Sequence, residues 1–222
     1  QLVSSSDPTL TNVQYDNRGN TTSLGDTAHK TEFTYDAADR NLSIKSGDKE
    51  TSYTRDAQNR IITREHKVAN AVESHVEYGF TGSGDTPDFL TDSAGNVKQK
   101  YLTLPGDVLA TIKTDSTSAE ATTYSLPNLH GDVFATVNAD GALMDTFMTG
   151  PFGEVLPNQP TTPSETTAPS DAPNNTADGT TWNYVGQHQK LTDLDTSGIA
   201  GGIIQMGARV YVPTLGRFLS VD

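Results

Sequence analysis

The sequence contains no cysteine and a single tryptophan among its 222 residues. Without cysteine there is no disulfide, no thiol nucleophile and no thiolate-ligated metal. Positive charge is scarce: 15 Lys and Arg stand against 28 Asp and Glu, for a formal net charge of −13. Such a surface repels phosphate backbones and anionic headgroups, which argues against nucleic acid and the membrane surface as partners. Apolar residues are only 33% of the chain, a low share for an ordinary globular domain. No apolar run approaches the ~20 residues of a membrane-spanning helix. The start at Gln1 carries no basic, apolar leader, so we expect the chain to begin and end inside a longer polypeptide.

Thr, Ser, Asn and Gly take up the missing share, and they are organised by a repeat. Asp16-Asn17-Arg18-Gly19-Asn20, Asp36-Ala37-Ala38-Asp39-Arg40 and Asp56-Ala57-Gln58-Asn59-Arg60 place their aspartates twenty residues apart. The fourth position is Gly19, Asp39 or Asn59, the residue types that tolerate a left-handed backbone. Asp in first position accepts backbone hydrogen bonds two residues on, which predicts a turn followed by a bulge. Asp92-Ser93-Ala94-Gly95-Asn96 repeats the pattern outside the strict period, and Asn138-Ala139-Asp140-Gly141 is a looser relative. Between turns the apolar period is two: Val76, Tyr78 and Phe80; Val108, Ala110 and Ile112; Val133, Ala135 and Val137. The fold class expected is all-β, an antiparallel strip with one hairpin per repeat.

Four segments are expected along the chain. Residues 1–66 carry the regular repeats and 67–156 longer, irregular hairpins. Residues 157–181 hold five Pro and seven Thr with no aliphatic side chain larger than Ala, which predicts a disordered loop. Residues 182–222 resume strand-like sequence. Those last 41 residues are few for an independent core, so the loop reads as an insertion within one sheet, with an interdomain linker as the alternative.

The residues at this point resemble a known family. Tyr15-Asp16-Asn17-Arg18-Gly19-Asn20-Thr21-Thr22 is similar to the tyrosine–aspartate (YD) repeat of Rhs proteins. Leu129-His130-Gly131-Asp132-Val133, Gly150-Pro151-Phe152-Gly153-Glu154-Val155 and Tyr184-Val185-Gly186-Gln187 resemble successive landmarks of the repeat-associated core domain. Ala208-Arg209-Val210-Tyr211-Val212-Pro213, with Gly216-Arg217-Phe218 and Asp222, resembles the signature that closes that core. The resemblance implies a hairpin strip spiralling into a hollow shell, of which this chain is the C-terminal arc. It implies a secreted or cell-surface bacterial protein of the polymorphic-toxin kind. The partners implied are the remainder of its own chain and a C-terminal effector beyond Asp222.

The same resemblance carries a self-cleaving aspartyl site onto Arg209 and Asp222, but Val212 stands where the family has its other acid. Read as one strand, 204–212 puts Ile204, Met206, Ala208, Val210 and Val212 on one face and Arg209 and Tyr211 on the other. The bland reading is that Arg209 pairs with a carboxylate and holds the closing segment in place. Histidines 29, 66, 75, 130 and 188 show no ligand spacing, so neither metal nor cofactor is expected. Asp193 and Asp195 read as turn and surface acids. The residues with the clearest assignment are the turn formers Asp16, Gly19, Asp36, Asp39, Asp56, Asn59, Asp92 and Gly95. A structural shell segment without activity of its own is therefore expected. Its rivals are an adhesion module binding cell-surface glycan or protein, and a remnant self-cleaving core.

Overall fold

The computed structural model describes residues 8–114, 121–156, 172–173, 175–176, 180–194, 199 and 202–221. Thirteen strands form one antiparallel sheet in which each pairs with its neighbours in sequence. They are β1 (Gln14–Tyr15), β2 (Thr21–Leu24), β3 (Thr31–Tyr35), β4 (Asn41–Ser46), β5 (Lys49–Arg55), β6 (Ile61–Val68) and β7 (Ala71–Gly79). The series continues with β8 (Phe89–Asp92), β9 (Val97–Leu104), β10 (Val108–Lys113), β11 (Thr122–Pro127), β12 (Val133–Asn138) and β13 (Leu143–Thr146). A two-stranded ribbon follows, β14 (Met148–Thr149) with β15 (Val155–Leu156). The closing strands β16 (Thr181–Trp182), β17 (Leu191–Asp193), β18 (Ile203–Met206), β19 (Arg209–Val212) and β20 (Arg217–Phe218) make a separate five-stranded sheet.

The turns build this meander. In the second repeat the Asp36 N–H donates to the Arg40 carbonyl at 3.0 Å, and the Asp39 N–H donates to the Asp36 carbonyl at 3.1 Å. The fourth residue is left-handed throughout, with φ of 94° at Gly19, 61° at Asp39, 68° at Asn59 and 80° at Gly95. One extra residue therefore enters the strand pair beside each turn, and the register shifts at Thr34/Tyr35, Thr54/Arg55 and Leu90/Thr91. Turns closed in the same way span 128–132, 138–142 and 150–154, begun by Asn128, Asn138 and Gly150.

One face of the large sheet carries the core, and the five-stranded sheet lies against it. Leu24, Phe33, Ile44 and Tyr53 pack with Ile203, Val210, Val212 and Leu219. Farther along, Val76, Tyr78, Leu90, Tyr101 and Leu109 pack with Trp182 and Leu191. Between these apolar residues the same interior takes Thr51, Gln99, Thr111, Thr123 and Ser125, all buried. Short polar side chains occupy sites where aliphatic ones are usual, which is why 33% apolar residues suffice.

Several sequence expectations are corrected here. The segment boundary at 66/67 falls inside β6, because hairpin pairing runs on unbroken into the irregular region. The closing strands are not a continuation of one sheet; they cross its face, since burying Trp182 and Val212 requires a covering layer rather than an added edge. The end of the Thr/Pro segment is built in: Asn175, Thr176, Thr180 and Thr181 are buried, and Asn175 Nδ2 donates to Ser125 Oγ at 3.0 Å and to the Trp182 carbonyl at 2.9 Å. Residues 157–171, 174 and 177–179 of that segment lie outside the described residues. On β10 the buried residues are Leu109, Ala110 and Thr111, so both faces of the strand are covered there, while Val108 and Ile112 are only half-buried. Finally, 204–212 is a hairpin turning at Gly207-Ala208, with Gln205 paired to Val210 and Ile204 to Tyr211. Val212 therefore shares its face with Ile203 and Val210, and Ile204 belongs with Tyr211.

Candidate functional site

The turns at 16–20, 36–40 and 56–60 join β1 to β2, β3 to β4 and β5 to β6 and form a ladder at one end of the strands, whereas the like turn at 92–96 joins β8 to β9 at the opposite end. Asp16 Oδ1 accepts the N–H groups of Arg18 and Asn20, both at 2.9 Å. Asp36 does the same for Ala38 and Arg40, Asp56 for Gln58 and Arg60, and Asp92 for Ala94 and Asn96. The second carboxylate oxygen accepts from the fifth residue of its own turn: Asn20 Nδ2 at 2.9 Å, Arg40 Nε at 2.5 Å and Arg60 Nε at 2.7 Å. Those fifth residues also reach the next turn. Asn20 Nδ2 donates to Asp39 Oδ1 at 2.7 Å, and Arg40 Nη1 to Asn59 Oδ1 at 3.0 Å. Arg60 Nη1 ends the series on the Gly82 carbonyl at 2.9 Å and the Gly84 carbonyl at 3.2 Å. Burial pushes the carboxyls of Asp36 and Asp56 up, but the hydrogen bonds from Arg40 and Arg60 outweigh it and hold both below the ordinary carboxylate value. Asn20, Arg40 and Arg60 recur with the same period of twenty, one residue after the left-handed position, but that spacing alone assigns them no bridging role.

The closing segment is anchored by contacts that no local pattern announces. Arg64 Nη2 and Asp193 Oδ2 are 2.8 Å apart, with side-chain exposures of 2% and 0%. Asp193 is thus no surface acid; β17 carries it into the interior against β6, while Asp195 lies outside the described residues. Arg55 Nη1 donates to the Gly207 carbonyl at 2.8 Å, and its Nη2 to Gln205 Oε1 at 3.0 Å. At the other end the turn 128–132 clamps onto 183–187. Val133 N–H donates to the Asn183 carbonyl at 2.9 Å, Gln187 N–H to the Gly131 carbonyl at 3.1 Å, and Val185 N–H to Asp132 Oδ1 at 2.9 Å. His130 Nδ1 lies 3.0 Å from the same Asp132 oxygen, and its ring leans on Tyr184. Tyr184 in turn stacks on Tyr211 at 6.3 Å.

Of the closing signature, Arg209 and Val212 lie on opposite faces of β19. The Arg209 guanidinium sits 3.9 Å over the Phe218 ring, on the strand face that alternation assigns to Tyr211. Val212 faces the opposite way, fully buried in the apolar core. Asp222 lies outside the described residues. The repeat tyrosines pack inward: Tyr53 is a core residue, and the Tyr35 hydroxyl donates to the Thr21 carbonyl at 2.8 Å. Among the described residues no group of three or more His, Asp or Glu side chains gathers in metal-binding geometry. None of their helices is long and apolar enough to cross a membrane.

These features define an all-β hairpin strip whose core face is covered by a small closing sheet. No family model and no curated protein matches the chain. Solved structures do. A Tc holotoxin pore of Photorhabdus luminescens carrying a mutant TccC3 is similar with a TM-score of 0.56 and 14% identity, over 94% of this chain and 9% of that one. The TcdB2-TccC3 crystal structure is similar with a TM-score of 0.59 and 15% identity, over 94% of this chain and 10% of that one. The chain thus has the antiparallel fold found within these toxin proteins, and it spans about a tenth of their length.

Proposed function

We propose that this chain is a wall segment of an Rhs-type shell, part of a secreted or cell-surface bacterial protein that holds and delivers a C-terminal effector. The observation that carries this reading is the unbroken meander of thirteen strands, its turns at 16–20, 36–40 and 56–60 stitched one to the next, sharing its fold with the Tc toxin structures. A strip of this kind lengthens by adding hairpins, with no new type of contact at any step. It also leaves apolar surface for neighbouring wall: Leu143 and Met144 on edge strand β13, and Met148 and Phe152 beside it, are exposed. The partners are the remainder of its own polypeptide and the effector, and the segment requires no cofactor and turns over no substrate. Burial of Val212 supports the last point, because a paired-carboxylate site cannot form at that position. The inward packing of Tyr35 and Tyr53 weighs against a glycan platform built on the repeats.

The test is electron cryo-microscopy of the natural gene product, with mass spectrometry of its C-terminal region. A closed wall around enclosed polypeptide is expected. An open strip with nothing inside, or saturable binding to a glycan array, would refute the reading. Self-cleavage that disappears in Asp222→Asn would overturn the claim that the segment is inert.

A further inference from the structure

Between the large sheet and the closing sheet lies a cavity of ≈ 290 Å³. Ile61, Tyr78, Phe80, Trp182 and Leu191 line it on the apolar side, and Arg55, Arg60 and Lys190 are its cations. In a chain of net charge −13 this is a local reversal of sign. Two of the three cations are neutralised in place. Arg60 pairs with Asp56 at 2.7 Å and covers the Phe80 ring at 4.3 Å, and Lys190 pairs with Asp85 at 2.8 Å.

Arg55 is different. Its Nε donates to the Asn41 carbonyl, its Nη1 to the carbonyls of Asn59 and Gly207, and its Nη2 to Gln205 Oε1. Those are neutral acceptors, they engage four of the five N–H donors, and no carboxylate among the described residues forms an ion pair with it. The carboxylate whose field reaches Arg55, Asp36, is itself held by Arg40 at 2.5 Å. Two further lining residues carry buried polar atoms without a hydrogen-bond partner, Trp182 Nε1 and Gln189 Oε1. Trp182 is 1% exposed and can only donate. A partly buried guanidinium without a counter-charge, against an aromatic wall, is an incomplete electrostatic arrangement.

We propose that this cavity is a binding site for a small organic carboxylate with a ring-sized apolar body. The carboxylate supplies the missing counter-charge to the remaining Nη2 N–H of Arg55, and the body fills the space against Ile61, Phe80 and Trp182. The volume suits such a molecule: a dry apolar cavity of about 150 Å³ holds a benzene ring, and common ligand pockets begin near ~300 Å³. This site is independent of the shell reading and would persist if that reading failed.

Trp182 is the only tryptophan and lines the cavity, so its emission responds to occupancy there. The full chain is titrated with benzoate, benzyl alcohol and benzylammonium at matched ionic strength. A saturable change with benzoate is expected, with affinity for benzyl alcohol about tenfold or more weaker, as loss of a charge-assisted hydrogen bond implies, and no binding of benzylammonium. Arg55→Gln should abolish the preference for the anion. Should that variant fail to fold, the three-ligand series on the unaltered chain still decides. Equal binding of benzoate and benzyl alcohol, or no saturable response to benzoate, would overturn the proposal.

Discussion

Asp193→Asn tests how the closing sheet is held to the strip. Asp193 and Arg64 meet at 2.8 Å with almost no exposure, and their sequence separation is 129 residues. With charge centres about 4 Å apart, their attraction at an effective dielectric of ~20 is about 4 kcal/mol. Removing each ion from water costs several kcal/mol, so the intact pair is close to neutral in its net contribution. Breaking it on one side is another matter, because Arg64 then remains charged in the interior. We expect Asp193→Asn to lower the free energy of unfolding by about 3–5 kcal/mol. The double variant Arg64→Met/Asp193→Leu, which removes both charges and keeps apolar volume, should fall within about 1 kcal/mol of the parent. Urea denaturation followed by Trp182 emission gives both numbers, since Trp182 sits in the interface that would loosen. An Asp193→Asn variant within about 1 kcal/mol of the parent would refute the reasoning, and would mean that water reaches Arg64.

Three further outcomes are expected. Asp36 and Asp56 are held below the ordinary carboxylate value, so the stability they contribute is fully present above the unfolded value near ~4 and is lost as pH falls through their lower folded values. Denaturation midpoints should drop in that acid range, and Asp36→Asn with Asp56→Asn should flatten the drop while costing about 1–2 kcal/mol each at neutral pH. Val212→Asp places a carboxylate at a fully buried apolar site and should cost about 3 kcal/mol or more by thermal or chemical unfolding, without creating self-cleavage. Gly153→Ala puts a Cβ at φ +90° and 2.7 Å from the Tyr184 ring, so a loss of about 1–3 kcal/mol is expected, with a changed near-ultraviolet signal from the Tyr184–Tyr211 stack.

The sequence by itself determined the local half of this protein. A turn needs only an acceptor in first position and a left-handed residue in fourth, and both are written into five consecutive residues at 16–20, 36–40 and 56–60. Strand pairing between sequence neighbours follows from such turns, so the antiparallel strip was legible before any coordinates. Asn20, Arg40 and Arg60 were equally periodic, yet their bridging role became visible only when adjacent turns stood side by side. Tertiary structure decided the rest. It made 204–212 a hairpin, since two left-over residues, Gly207 and Ala208, carry no turn signature as strong as Asp-x-x-Gly. It buried both faces of β10 at Leu109, Ala110 and Thr111, which a period of two along that strand does not foretell. It laid the closing sheet across the core rather than along an edge, and in doing so brought Asp193 to Arg64 and Trp182 to Tyr101. Contacts of that range leave no period in the chain, because their partners are matched by volume and charge across two sheets and not by spacing along one strand.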